Sequence, residues 1–188
     1  MRVIGGKLKG KTIMPPKGYK ARPTTDFAKE GLFNILDNEY EFDDLRVLDL
    51  FGGAGSISIE FASRGASHVD AVEMNSENAA FISRTVSSLG LSSIVSVVHC
   101  NVFDFLPLCN VKYDIVFADP PYNLDGLDKL PEKVLDAGIL HPGCYFILEH
   151  PAEYSFEGCP CFVKTRKYGN VHFSFFESSL QTVCEAVR

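Results

Sequence analysis

The sequence predicts an α/β domain: a mostly parallel, seven-stranded sheet with helices on both faces and an antiparallel hairpin at its C-terminal end. Three observations carry this expectation. From Arg46 onward, short apolar runs alternate with segments of helical period. Glycine- and proline-bearing motifs fall directly after those runs, where open parallel sheets bind ligands. Two alternating runs, residues 161–167 and 171–177, flank Tyr168-Gly169-Asn170, which is a hairpin pattern.

The chain begins with a segment unlike the rest. Residues 1–29 hold eight basic side chains and one acid, a net of +7, whereas the remainder carries −13 of the total −6. A basic segment on an acidic domain points to nucleic acid. Its cations alternate with Val3, Ile4, Leu8, Ile13 and Tyr19 and are punctuated by Gly5-Gly6 and Pro15-Pro16. This predicts an ordered β-ribbon rather than a solubilising tail. The candidate nucleic-acid-binding residues are Arg2, Lys7, Lys9, Lys11, Lys17, Lys20 and Arg22. Pro23-Thr24-Thr25-Asp26 then opens a helix whose apolar positions Ala28, Leu32, Ile35 and Leu36 run to about Asn38. Residues 1–40 are thus expected to form a ribbon-and-helix extension, 41–178 the main domain and 179–188 a tail.

Residues 37–44 are acidic and read as a linker. Strands are expected at 46–51, 69–73, 94–98, 113–118 and 145–149, before the two hairpin strands. Between them, Ile57 and Phe61 mark a helix that Gly65 ends. Ala79, Ile82, Val86 and Leu89 mark another over 76–89, stopped by Gly90. Pro131 suits the first turn of a third, over 130–137.

At 188 residues, 46% hydrophobic and 22% charged, the chain fits one globular domain and neither a disordered nor a collagen-like class. No window of about 18 apolar residues predicts a membrane span. The N-terminus lacks a secretory apolar run, so a cytoplasmic protein is expected. Its six cysteines include only one close pair, Cys159-Pro160-Cys161, without a second pair or a nearby histidine. Reduced thiols and no metal are expected.

Four places carry chemistry. Asp49-Leu50-Phe51-Gly52-Gly53-Ala54-Gly55 ends the first strand and opens a helix; its glycines let backbone approach a ligand. It lacks the third glycine of a nicotinamide fingerprint, and Asp49 suits a ligand with a cationic amino-acid portion better than a pyrophosphate. Glu73, about 20 residues beyond, stands where an acid accepts hydrogen bonds from a ribose diol. Asn101 follows the third strand, where its amide could pair with an adenine edge. Asp119-Pro120-Pro121-Tyr122 follows the fourth. Two prolines hold that segment extended. The Asp119 carboxylate and Pro120 carbonyl can then accept the hydrogens of an exocyclic amine while the Tyr122 ring stacks on its base. Acceptors aimed at those hydrogens free lone-pair density for alkylation and stabilise the charge that develops.

Together these residues resemble the class I S-adenosylmethionine-dependent methyltransferases, in the branch whose Asp-Pro-Pro-Tyr/Phe motif serves exocyclic amines. The resemblance implies a Rossmann-like fold with Asp49, Phe51, Gly53 and Gly55 around the methionine part of S-adenosyl-L-methionine. It puts Glu73 on the ribose, Asn101 on the adenine and Asp119, Pro120, Pro121 and Tyr122 at the target base. Arg2-Val3-Ile4-Gly5-Gly6-Lys7, Gly10-Lys11, Arg22-Pro23-Thr24-Thr25-Asp26, Glu30, Leu32-Phe33-Asn34-Ile35-Leu36, Lys167-Tyr168-Gly169 and Phe175-Phe176 further resemble the bacterial RsmD family. That family methylates guanine N2 in 16S ribosomal RNA. The implied partner is 16S rRNA in a small-subunit assembly particle, and the implied enzyme a monomer that releases S-adenosyl-L-homocysteine and needs no metal. At Phe27 and Ala28 the chain departs from the more basic stretch expected there. Residues 178–188 have no counterpart in the family pattern.

Three other readings compete with this one. A DNA adenine-N6 methyltransferase shares the motif but usually carries a sizeable target-recognition region. A nicotinamide oxidoreductase leaves Asp119–Tyr122 without a purpose. A non-catalytic ribosome-assembly factor would tolerate loss of Asp119 or Tyr122, and both are present.

Overall fold

The computed structural model describes residues 1–15 and 25–178. Lys17, Lys20, Arg22, the Pro23-Thr24 helix approach, Cys184 and the 179–188 tail lie outside the described residues. Seven strands form one sheet: β1 (Arg46–Leu50), β2 (His68–Glu73), β3 (Val95–His99), β4 (Tyr113–Ala118), β5 (Leu140–His150), β6 (Phe162–Tyr168) and β7 (Val171–Glu177). Their order is β3-β2-β1-β4-β5-β7-β6, with β1 to β5 parallel and β7 antiparallel between β5 and β6. The chain turns from building one half of the sheet to the other between β1 and β4, which is where such sheets open a crevice.

Strand period sorts the core onto two faces. Val47, Val69, Ile115 and Ile147 pack on one side with α1 (Asp26–Glu39), α2 (Ser56–Arg64) and α3 (Ser76–Ser88). Leu48, Leu50, Val116 and Leu148 pack on the other with α4 (Val102–Phe105) and α5 (Leu130–Asp136). The Thr25 side chain accepts from the Ala28 N–H at 3.1 Å and caps α1. The Asn75 side chain accepts from both Glu77 and Asn78 and caps α3.

Within the described residues 1–15 the chain pairs back on itself as a short ribbon. Val3 donates to the Lys11 carbonyl at 2.9 Å, Gly10 to Val3 at 2.8 Å and Ile13 to Met1 at 2.9 Å. It docks on α2 through Ile4 N–H to Glu60 at 2.9 Å and Leu8 N–H to Ser63 at 2.9 Å. At Gly6, with φ +67°, an added Cβ would lie 1.8 Å from the Ser63 carbonyl oxygen, so only glycine permits this approach. Val3, Ile13 and the α1 residues Leu32 and Phe33 belong to the same apolar cluster as the strands, so the extension shares the domain core.

Several boundaries differ from expectation. Residues 37–39 are the last turn of α1 rather than linker, because Tyr40 N–H closes on the Leu36 carbonyl at 2.8 Å. β5 starts at Leu140, five residues early, and α4 was not anticipated. Lys29, counted among the segment's cations, is buried to 1% exposure. Its ammonium lies 3.3 Å from Glu60 and donates to the Arg2 carbonyl at 2.5 Å, tying ribbon to helices instead of meeting solvent.

Candidate active site

Sheet register builds the site. Leu50 pairs with Val72 and with Ala118, and Ala118 pairs with Leu148. The next residues on these four strands, Phe51, Glu73, Asp119 and Glu149, therefore come together at the carboxyl edge. All four line a cavity of about 710 Å³, a volume typical of small-molecule sites.

One half of the cavity is the glycine turn. Gly53 and Gly55 have φ of +57° and +77°, and Phe51 takes φ +66°, a left-handed conformation that costs a non-glycine residue energy. Gly55 N–H closes the turn on the Gly52 carbonyl at 2.7 Å. Glu73 is 7% exposed; its Oε2 accepts from Gly53 N–H and its Oε1 from Asn75 N–H, each at 2.7 Å. Each oxygen keeps a second lone pair for a ligand hydroxyl. Asn101 lines the cavity too, but its Oδ1 accepts from Phe103 N–H at 2.9 Å, so its amide donors are what it offers a ligand.

Asp49 and Gly55 do not line the cavity. Asp49 lies behind the turn, 2% exposed, where its Oδ2 accepts from the Ser58 N–H at 3.1 Å and from the Ser58 hydroxyl. Burial pushes its carboxyl up to about 7; the Ser58 bonds pull it back, and the Glu73 charge adds to the rise. Its contribution is to hold the start of α2, and with it the turn, in place.

The other half is Asp119–Tyr122, with Pro120 buried and Tyr122 40% exposed. The Tyr122 hydroxyl donates to Glu149 Oε1 at 3.4 Å. Glu149, 3% exposed, was not among the expected site residues. The available clue was an acid at the end of the strand expected at 145–149. Also unanticipated are Phe103, Met74 and Asn78 beside the glycine half, and Thr25 and Phe27 of the α1 start facing Tyr168–Val171 of the hairpin across the other. The Tyr168 hydroxyl donates to the Gly31 carbonyl at 3.0 Å, and a Cβ on Gly31 would meet its ring at 2.0 Å. Three carboxylates, Glu73, Asp119 and Glu149, face the cavity and favour a cationic ligand.

Of the proposed RNA contacts, Arg2, Lys7, Lys9 and Lys11 are exposed on the ribbon, and none lines the cavity. Arg2 pairs with Asp26 at 3.1 Å, which places it beside the Thr25–Phe27 rim. Among the described residues no group of three or more His, Cys, Asp or Glu is placed to hold a metal. Cys100, Cys109, Cys144, Cys159 and Cys161 are free thiols. No helix among the described residues is long and apolar enough to cross a membrane.

The strand order, the antiparallel β7 and a cavity at the β1/β4 switch point define a class I methyltransferase fold. The solved structure of the Escherichia coli yhhF protein superposes with a TM-score of 0.81 at 28% identity, over 96% of this chain and 99% of that one. Residues 1–177 match the family model described as Conserved hypothetical protein 95, and the chain belongs to this family, the RsmD family. Ribosomal RNA small subunit methyltransferase D of Escherichia coli K12 is 30% identical over 153 residues, 81% of this chain and 76% of the relative. The protein of that name from Buchnera aphidicola subsp. Baizongia pistaciae is 33% identical over 122 residues, 65% of this chain; the chain spans 61% of that relative's length.

Proposed function

We propose that this protein transfers a methyl group from S-adenosyl-L-methionine to the exocyclic N2 amine of a guanine in small-subunit ribosomal RNA. The observation that carries it is the joining of the Gly53–Glu73 half and the Asp119–Tyr122 half in one cavity. The donor set suits the cofactor: Glu73 offers acceptors for a ribose diol, Val102 and Phe103 an apolar wall for a purine, and the acidic lining a field for its positive charges. Bound there, S-adenosyl-L-methionine would supply an electrophilic methyl on sulfur, with S-adenosyl-L-homocysteine as the leaving group.

The chain's own residues do the rest. Exposed ribbon cations hold phosphates, and the target guanine is extruded into the cavity. Tyr122 stacks on it, while the Asp119 carboxylate and Pro120 carbonyl accept the N2 hydrogens and direct the nitrogen lone pair along the line of attack. Most of the rate comes from this positioning and from acceptors aimed at the charge that develops on nitrogen. Asp119 or solvent then takes the released proton.

The RNA assignment draws on the relatives named rRNA methyltransferase D and on the ribbon's charge. The test uses purified protein, radiolabelled S-adenosylmethionine and small subunits from a strain lacking the modification, with the product digested to nucleosides. Label in N2-methylguanosine is expected. Label only in N6-methyladenine, with DNA supplied in parallel, would overturn the substrate and keep the chemistry. No label despite cofactor binding would overturn the substrate class.

A further inference from the structure

Glu149 has no part in the amine chemistry just described, yet it is the most buried of the three carboxylates facing the cavity. Register places it on the strand adjacent to Asp119, one residue beyond the Ala118–Leu148 pair. Its Oε1 accepts from the Tyr122 hydroxyl at 3.4 Å, so the carboxylate sits at the edge of the ring on which the base stacks. The next residue, His150, fixes the strand end: its Nδ1–H donates to the Pro151 carbonyl at 2.9 Å and its Nε2 accepts from the Ser174 hydroxyl at 2.8 Å. Burial holds this imidazole's pKa below the usual histidine range, which keeps it neutral.

We propose that Glu149 is the residue that selects guanine, its carboxylate accepting a hydrogen bond from N1–H of the target base. This rests on the reading above and deepens it. Guanine carries a donor at N1 beside the N2 amine; adenine carries a lone pair at N1 beside its N6 amine. β4 lies between β1, which leads into the glycine turn, and β5, so a base held by its amine at Asp119 and Pro120 with its N1 edge turned away from the glycine turn meets β5. There a carboxylate rewards guanine and repels adenine, lone pair against lone pair. A site built to accept one particular hydrogen bond rejects the analogue lacking the donor far more strongly than a shape-matched apolar pocket could.

The test separates amine from N1. 2-Aminopurine keeps the amine to be methylated but presents N1 as an acceptor. Small subunits are reconstituted with guanine or 2-aminopurine at the mapped target position, and methylation is followed with wild-type protein and Glu149→Gln. Wild type is expected to prefer guanine by about 10⁴-fold in kcat/KM. Glu149→Gln offers an N–H₂ donor to N1, so the preference is expected to collapse or invert, with 2-aminopurine turnover rising above the wild-type value. S-adenosylmethionine affinity and thermal midpoint check that the variant is folded. Equal use of both bases by wild type overturns the proposal without needing the variant. So does a Glu149→Gln enzyme that slows equally on both bases, which would leave Glu149 only as a support for Tyr122. Wild-type label appearing in adenine would instead sink the guanine reading and this proposal with it.

Discussion

The backbone N–H of Gly53 donates to Oε2 of Glu73 at 2.7 Å, so the cavity's two glycine-side ligand groups are one unit. The turn after β1 and the acid ending β2 brace each other, and the strained φ of Phe51 is maintained between them. Glu73→Ala is therefore expected to cost both the ligand acceptor and the turn's anchor. Calorimetric titration should show S-adenosylmethionine affinity falling by at least tenfold, the scale of a lost charge-assisted hydrogen bond.

Asp119→Ala separates the other half. Turnover is expected to fall by about 10³-fold or more, as when groups that stabilise developing charge are removed. Cofactor affinity should stay within a few-fold of wild type. A variant that loses cofactor binding but keeps its rate on bound substrate would reverse the assignment of the two halves.

Arg2, Lys7, Lys9 and Lys11 are exposed on a ribbon held rigidly to α2. If these four cations meet phosphates, affinity for single-stranded RNA should fall with a log–log salt slope of about −3. Replacing Lys7 and Lys9 together by Gln should flatten the slope by about 1.4. A salt-independent affinity would remove the ribbon from the interface.

Lys29 and Glu60 form a buried pair whose two side chains are 1% and 0% exposed. Burial lowers the Lys29 pKa and the Glu60 charge opposes that fall. Lys29→Met removes one of the two cations paired with the buried Glu60 carboxylate, leaving it Arg64 and the Ile4 amide. The expected loss is about 3 kcal/mol, read as a Tm drop of about 6–12 °C for a chain of this size. Arg2→Gln, at the exposed Arg2–Asp26 pair, should change stability by less than about 1 kcal/mol.

Asp49 gives a pH signature. Its folded pKa, about 7, lies above the ordinary 3.8, so the folded state holds this proton more tightly. Its stabilising contribution is complete below pH 3.8 and is lost as pH rises toward 7. Asp49→Asn keeps an oxygen for the Ser58 bonds and has no charge to bury. The Tm of this variant relative to wild type is expected to rise between pH 5 and pH 8, as thermal melts across that range would show.

The legible parts of this protein were those written in local period and local chemistry. Strands alternating with helices appear because side-chain repeat follows each element's own geometry. The glycine turn, Glu73 and Asp119–Tyr122 were visible because their residue types answer to ligand chemistry close in sequence. Tertiary structure decided what lies far apart in the chain. Strand order and register brought Glu149 beside Tyr122, 27 residues away in sequence. The same packing turned Lys29 from one of the segment's eight cations into a buried tether, and set Asp49 behind the turn rather than in the cavity. It also brought Phe27 and Tyr168, from opposite ends of the chain, to the cavity as an edge-on pair 5.8 Å apart. Periodicity records which face of an element is buried. Which neighbour covers that face, and which strand end meets which, depends on contacts that form only when the whole sheet is assembled.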